Sequence, residues 1–599
     1  MASSEIWRDA GRILNAGQTR SLLITGNIHD LFEVEHNGET TYQPLVDLLT
    51  TKWDLPNAVV VVYELTGIIR FIGKEDRVKM RDAWVQWRTG MDDDDRAIKR
   101  MLASQKVRAE LDLVGDAFDT NLKRSVGNPT LALTLLKQMC MCSRAESGLD
   151  QHLIIVLENA EMIIRQTEIS RMTDADRNRV SLCQDWFSDP AFQEGKDSVI
   201  MIAESRSLVN TRIAQLPQVL SLEVNSPDKE ERLDFINWFD AKHDGKLKVW
   251  SDKEELAQLT AGLSTHALQQ MLKGAIYRDD ELQQDAILKK VESYIQSQLG
   301  EDVVEFKKPS HYLEHVVGFS NLKEFLNDEL IPRFRSSGRD ALPGAAVCGP
   351  IGSGKTFIFE AVASELDMVV IELKSIRSQW YGQTDVVFER LRRVLMALSK
   401  VMIFVDEADT QFGSVGKQAH ATERRLTGKI QAMMSDPRLR GRVLWLLMTA
   451  RIHLLSPDIR RPGRVGDLII PILDPRGEDR DDFLRWMAGS VLETEIDEPT
   501  LKTLRKATKG YFAASYAALR SELKAKASYA DDKKLSVEEV IAIVENQIPP
   551  NIGPTRKYQT LQALMNCTRR NLLPDPDVTD EDRLAWAQEI KRLEAMGVE

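Results

Sequence analysis

Five cysteines in 599 residues, at positions 140, 142, 183, 348 and 567, are too few and too unevenly spaced for a disulfide framework. The pair in "CMC" has no second pair at zinc-ligand spacing, so structural thiols in a reducing compartment are expected. The chain also has no run of about 18 uncharged apolar residues, and its start, "MASSEIWRDAGRIL", has no apolar leader core. Export and membrane insertion are thereby disfavoured and a cytoplasmic protein is expected. A basic surplus is missing as well. Lys and Arg number 79 against 91 Asp and Glu, giving a net charge of −12, which argues against a surface built to coat nucleic acid. The remaining balance, 28% charged and 43% hydrophobic, is that of globular protein, and the length exceeds what one core can organise.

What the chain does have is self-similarity. "LIIVLENAEMI" from Leu153 matches "VMIFVDEADTQ" from Val401, an offset of 248 that sets Glu158 and Asn159 against Asp406 and Glu407. "PDKEERLDFINWF" from Pro227 and "PRGEDRDDFLRWM" from Pro475 share that offset, as do "GLSTHALQQML" from Gly262 and "GYFAASYAALR" from Gly510. Three matches at one spacing mark a tandem duplication. Upstream the register slips. "SLLITGNIHDLF" from Ser21 pairs with "AAVCGPIGSGKTF" from Ala345, which leaves about 76 extra residues in the first copy. They are placed between Ile72 and Gly148 and read as a helical insertion with a solvated acidic corner, "MDDDDRAIKRML".

Strands rich in Val, Ile and Leu alternate with amphipathic helices in both copies. The expected fold class is therefore α/β, each copy a parallel sheet between helices followed by a small helical lid. The expected domains are a first core over 1–223 with its insertion at 73–148, a first lid at 224–300, a second core at 301–474, a second lid at 475–548, and a helical C-terminal appendix at 549–599. The appendix, opened by "IPPNIGPT", is assigned no chemistry.

Chemistry concentrates in the second copy. "GPIGSGKT", Gly349, Pro350, Ile351, Gly352, Ser353, Gly354, Lys355 and Thr356, is a phosphate-loop pattern after an apolar strand and before the helical "FIFEAVASEL". Its glycines let backbone N–H groups cradle phosphate oxygens at a helix N-terminus. Lys355 is expected to reach the β- and γ-phosphates of ATP, and Thr356 with Asp406 to hold Mg2+. Glu407 is the candidate general base. A solvated strand end would explain a "DEAD" cluster, but not the apolar run that delivers both carboxylates to the sheet's C-terminal edge.

From about residue 315 to 548 the second copy resembles the AAA family of P-loop ATPases. "HVVGFSNLKEFL" is similar to the family's opening segment, which implies adenine contacts at Val317 and Gly318. "DIRRPGRVGD" resembles its arginine-finger segment and implies that Arg461 and Arg464 reach a neighbour's γ-phosphate, hence a homo-oligomeric ring, a hexamer in that family. Taken alone, either arginine would be read as a surface ion-pair partner. "SQWYGQTD" resembles the substrate-gripping pore loop, which implies channel positions for Trp380, Tyr381 and Gly382. Without the resemblance these aromatics read as core, turn or base-stacking residues. "GSVGKQAHA", 413–421, is a candidate second channel loop.

Two positions depart from the family. Ala450 stands where a water-orienting asparagine is expected, with Thr449 as the available substitute, so slow or conditional hydrolysis is anticipated. Ala513, Ala514 and Ser515 replace most of a Gly-Ala-Asp sequence beside the nucleotide. In the first copy "TGNIHDLF" has no lysine or phosphate-loop hydroxyl and "LENAE" has an amide at the base position, so it resembles a degenerate AAA module. The resemblance implies an ATP-hydrolysing ring that remodels a protein substrate or works through an adaptor, with its chemistry in the second module. The rival reading is an ATP-controlled scaffold with weak hydrolysis. Translocation on nucleic acid is disfavoured by the acidic charge balance.

Overall fold

The computed structural model describes the chain except residues 1–4, 37, 54–55, 103, 146–147, 300–303, 308, 310, 337–340, 367, 375–383, 399, 413–420, 493–495, 530–533, 548–550 and 599. It divides into two compact units, one of Met1–Ile295 with Asp385–Ala397, the other of Gln296–Thr384 with Leu398–Glu599.

The first unit holds strands β1 (Ser21–Gly26), β2 (Leu31–His36), β3 (Glu39–Pro44), β4 (Ala58–Tyr63), β5 (Arg70–Phe71), β6 (His152–Leu157), β7 (Ser198–Ala203) and β8 (Val219–Val224). Its sheet runs β5-β4-β6-β7-β1-β8, parallel except for the edge strand β5, while β2 and β3 form a separate hairpin. All six residues of β1 and of β4 are buried, which is why they read as apolar runs rather than as alternation. Val59 and Val61 pack toward one helical layer, Val60 and Val62 toward the other. The helices Asp76–Thr89, Asp93–Leu102 and Gln105–Arg124 lie within the expected insertion.

The second unit holds β9 (Val304–Lys307), β10 (Gly344–Cys348), β11 (Val369–Leu373), β12 (Val401–Val405), β13 (Val443–Thr449) and β14 (Ile469–Pro471). In its order, β14-β10-β13-β12-β11-β9, the five parallel strands repeat the first unit's β8-β1-β7-β6-β4, while the antiparallel edge strand β9 precedes them in the chain where β5 follows β4. The helices Gly477–Ala488, Glu498–Ala507, Ala513–Ala527 and Val537–Glu545 follow the sheet, then Gly553–Asn566 and Asp580–Ala595.

The duplication persists in individual bonds. Arg232 Nε donates to the Ala257 carbonyl at 3.0 Å, and its counterpart Arg480 donates through Nη2 to the Arg505 carbonyl at 2.7 Å. Thr260 and Thr508 each donate a hydroxyl to the carbonyl four residues back. Asn159 and Glu407 both adopt left-handed backbone, with φ of 50° and 47°. Gly26 and Gly349 match too, because a Cβ on either would press within 2.2 and 2.0 Å of the carbonyl oxygens of Val224 and Ile472.

The copies diverge just after that glycine. In the second unit the loop runs directly into helix Lys355–Glu365, whereas in the first it enters the β2–β3 hairpin and reaches a helix only at Leu45. Part of the first copy's excess length therefore lies ahead of residue 72. Phe32 and Val34 of the hairpin are buried in the core, which holds it in place.

Candidate functional site

The second unit's phosphate-loop segment leaves the wholly buried strand β10 at Gly349, whose φ of 150° and tight approach to Ile472 exclude a side chain. Gly352 has φ of 77°, and a Cβ there would lie 2.5 Å from the Phe512 ring. Gly354, with φ of 89°, sits at the cap of helix Lys355–Glu365, so the loop ends on unpaired helix N–H groups. Lys355 Nζ donates to the carbonyls of Gly349 at 3.0 Å and Pro350 at 3.1 Å. Burial lowers its pKa, opposed chiefly by the Asp406 carboxylate. An ammonium held over this loop is poised for an anion, which would restore the solvation that burial removed.

Thr356 Oγ1 donates to Asp406 Oδ2 at 3.4 Å, joining the helix start to the end of β12. A hydroxyl and one carboxylate are a hard-oxygen set of the size Mg2+ uses when phosphates and water complete its shell. The described residues contain no cluster of three or more metal-ligating His, Cys, Asp or Glu, so a cage made entirely of protein is not offered there. Glu407 is exposed beside Asp406, its N–H donating to Asp406 Oδ1 at 2.8 Å. Because Asn159 shares its left-handed φ, this conformation belongs to the strand-to-helix turn in both copies.

At the end of β13, Thr449 is 1% exposed and donates to Asp409 Oδ1 at 2.5 Å, while Arg451 pairs with Asp409 Oδ2 at 2.6 Å. The hydroxyl named as a substitute for the missing asparagine is thus already engaged, and Ala450 follows it without a polar side chain. The two arginines differ. Arg464 donates to the Asp458 carbonyl at 2.7 Å and to Ser435 Oγ at 3.1 Å, whereas Arg461 is exposed and makes no hydrogen bond to the described residues. Gly318 packs against Phe483 and the Asp479 carbonyl of the lid, with Val317 half-buried beside it. Trp380, Tyr381 and Gly382, and 413–420 of the second candidate loop, lie outside the described residues.

The appendix, assigned no chemistry from the sequence, docks against the loop. Helix Gly553–Asn566 brings Gln559 Oε1 to 3.0 Å from the Ile351 N–H of the loop. Arg556, on the same turn, lies 3.7 Å over the Phe512 ring and pairs with Asp474. Downstream, Asn566 Oδ1 accepts from Arg460 and Thr568 Oγ1 accepts the Ile469 N–H. The available signal was a Pro at the start of a helix with apolar spacing, which predicts a packed helix but not its docking site.

The equivalent edge of the first unit is acidic. Glu158, at the position of Asp406, accepts from Arg70 at 3.4 Å, and burial raises its pKa and that of Glu161. Strand pairing sets Glu204 at the position of Ala450, where it accepts from Arg390 Nε at 2.8 Å. Asp30, 2% exposed, accepts the N–H groups of Leu31, Thr265 and His266 and the amide of Asn27. Its carboxylate therefore occupies the N-terminus of helix Thr265–Arg278, where an anionic ligand would otherwise be favoured.

Comparison with known proteins agrees with this geometry. Residues 8–225 match the family profile "AAA+ chaperone, N-terminal Rossmann-like domain", 230–300 match "AAA+ chaperone, second helical domain", and 345–470 match "ATPase family associated with various cellular activities (AAA)". A cell division cycle protein 48 homolog from Archaeoglobus fulgidus is 30% identical over 261 residues, 42% of this chain and 34% of that protein. Protein SAV of Sulfolobus acidocaldarius is 30% identical over 213 residues, 34% of this chain and 26% of that protein. The human ATPase family gene 2 protein homolog A is 31% identical over 194 residues, 32% of this chain and 22% of that protein. The chain thus spans between a fifth and about a third of these relatives' lengths. The chain thus has a tandem AAA make-up, an AAA domain behind an AAA+ chaperone N-terminal domain and second helical domain, in two units whose parallel strands share one order.

Proposed function

We propose that this chain binds ATP with Mg2+ at the second unit's phosphate loop, hydrolyses it there, and uses the cycle to remodel a protein substrate within a homo-oligomeric ring, a hexamer. The observation that carries this reading is the convergence of Lys355, Thr356 and Asp406 on one loop-to-helix junction. Lys355 leaves its resting carbonyls for the β- and γ-phosphates, and helix N–H groups take the remaining oxygens. Thr356 and Asp406 hold Mg2+, which when bound neutralises charge across the phosphates. Glu407 takes a proton from the water that attacks the γ-phosphorus as the bond to the ADP oxygen breaks. Arg461, free of partners among the described residues of its own chain, extends to a neighbouring copy's γ-phosphate, while Arg464 braces the segment that carries it.

The first module serves as a platform. Its loop has no lysine, the neighbouring strand ends carry Glu158, Glu161 and Glu204, and in place of a helix directly after the loop it has a hairpin, so a triphosphate would meet like charge. Trp380, Tyr381 and Gly382 would grip the substrate. The free cysteines suit a cytoplasmic setting, and among the described residues no helix is long and apolar enough to cross a membrane.

The scaffold reading, with weak hydrolysis, is favoured by one observation. Thr449 is tied to Asp409 and Ala450 is apolar, so neither orients the attacking water. Steady-state ATPase on the full chain tests both. Lys355→Ala should lose ATP binding, and Glu407→Gln should retain it while hydrolysing roughly a hundredfold more slowly. Wild-type turnover by Glu407→Gln would remove the assigned base. A wild-type rate unchanged by an added unfolded protein would favour the scaffold.

A further inference from the structure

Arg556 lies 200 residues beyond the phosphate loop, yet it is only 7% exposed and its Nη1 has no hydrogen-bond partner among the described residues. The guanidinium is otherwise fixed. Nη2 pairs with Asp474, two residues past the carbonyl that approaches Gly349, and Cζ lies 3.7 Å from the centroid of the Phe512 ring. Phe512 itself abuts Gly352 in the middle of the loop, and three residues along the same helix Gln559 accepts the Ile351 N–H. A buried guanidinium with a spare donor has been desolvated without full compensation, and such groups are retained where an acceptor arrives. The Arg556 charge also acts on Lys355, lowering its pKa, as two cations converging on one anion site would.

Resting on the assignment of ATP to this loop, we propose that helix Gly553–Asn566 is part of the nucleotide site. Arg556 donates to a phosphate oxygen of the nucleotide bound by its own chain, and Gln559 holds the loop in its binding conformation through the Ile351 N–H. The neighbour's arginine and this one would then approach the phosphates from different chains. A bound polyphosphate satisfies Nη1 and offsets the repulsion between Arg556 and Lys355, so ATP also consolidates the docking of the appendix.

The test measures ATP affinity of the full chain by calorimetry, with the thermal midpoint of each unliganded variant as the control for fold. Lys355→Ala probes the loop assignment itself, and unchanged ATP affinity in that variant would overturn the underlying reading. Asp474→Asn is the background for the arginine, since it removes the ion pair and isolates the effect of charge on the nucleotide. Within it, Arg556→Gln should weaken ATP by about ten- to a hundredfold and Arg556→Lys should recover most of that loss. If the Gln variant keeps its midpoint and binds ATP as the Asp474→Asn chain does, Arg556 is only a staple for the helix and the proposal fails. Should the Gln variant not fold, hydrogen exchange on the wild-type chain decides. Saturating ATP is expected to slow amide exchange across 553–566, and equal exchange with and without ATP would overturn the proposal.

Discussion

Replacing Asp30 by its near-isostere asparagine should destabilise the first unit without touching the second. Asp30 Oδ1 accepts Leu31 N–H at 2.9 Å and His266 N–H at 2.8 Å, and Oδ2 accepts Thr265 N–H at 3.0 Å and the Asn27 amide at 2.6 Å. Each oxygen is thus an acceptor for two donors. An asparagine has one oxygen, so its NH2 must face one of those pairs whichever way it is turned. Two donors that face this buried carboxylate lose their partner, at about 1–3 kcal/mol each. Burial already raises the Asp30 pKa, and removing that desolvated charge returns part of the loss. A net destabilisation of roughly 3 kcal/mol follows. For a unit of this size it amounts to a midpoint shift of roughly 6 °C. Scanning calorimetry of the full chain should show one transition displaced by that amount and the other unmoved. If Asp30→Asn leaves both transitions within about 1 °C of wild type, the carboxylate does not latch helix Thr265–Arg278 and the reasoning is wrong.

A second test uses pH. Burial pushes the Asp197 carboxyl up to about 6, so its contribution to stability is fully present below the ordinary carboxylate range and is lost as pH rises through about 6. The span is about 3 kcal/mol, and Asp197→Asn, which keeps an oxygen for Ser143 and the Leu153 N–H, should flatten the fall in midpoint between pH 4 and 7. Arg461→Ala should retain ATP binding and fold stability, lose hydrolysis, and regain part of it when mixed with Lys355→Ala chains, because mixed rings contain some complete interfaces. No recovery on mixing would exclude action in trans. Ala450→Asn should raise turnover if a missing water contact limits the rate, and a fall would show that the Thr449–Asp409–Arg451 arrangement already orients the water.

Much of the candidate loop was legible without coordinates, because its information is contiguous. Gly349 to Thr356 carry their own turn chemistry, and the apolar residues before Asp406 and Glu407 place both carboxylates at a strand end. The duplication was equally plain, since one offset recurs at three separated places and the structure repeats it in Arg232 and Arg480, Thr260 and Thr508, and Asn159 and Glu407. Other assignments needed the fold. Thr449 read as a free hydroxyl until Asp409, 40 positions away in sequence, was found bonded to it.

The sequence alone therefore determined which copy carries the phosphate-loop pattern and which strands are buried, both being properties of short segments whose spacing is set by backbone geometry. Tertiary structure decided what the two outlying polar residues do. "GPTRKYQTLQAL" has the pattern of any packed helix, and nothing within it distinguishes a surface arginine from one whose guanidinium is buried over Phe512. "TGNIHDLF" likewise reads as a loop stripped of its lysine, although its Asp30 is the acceptor for two N–H groups more than 200 residues later. A side chain's role at such distances depends on which helix end or ring is packed against it. That pairing is a product of docking, not of local propensity, so it became visible only when the elements were assembled.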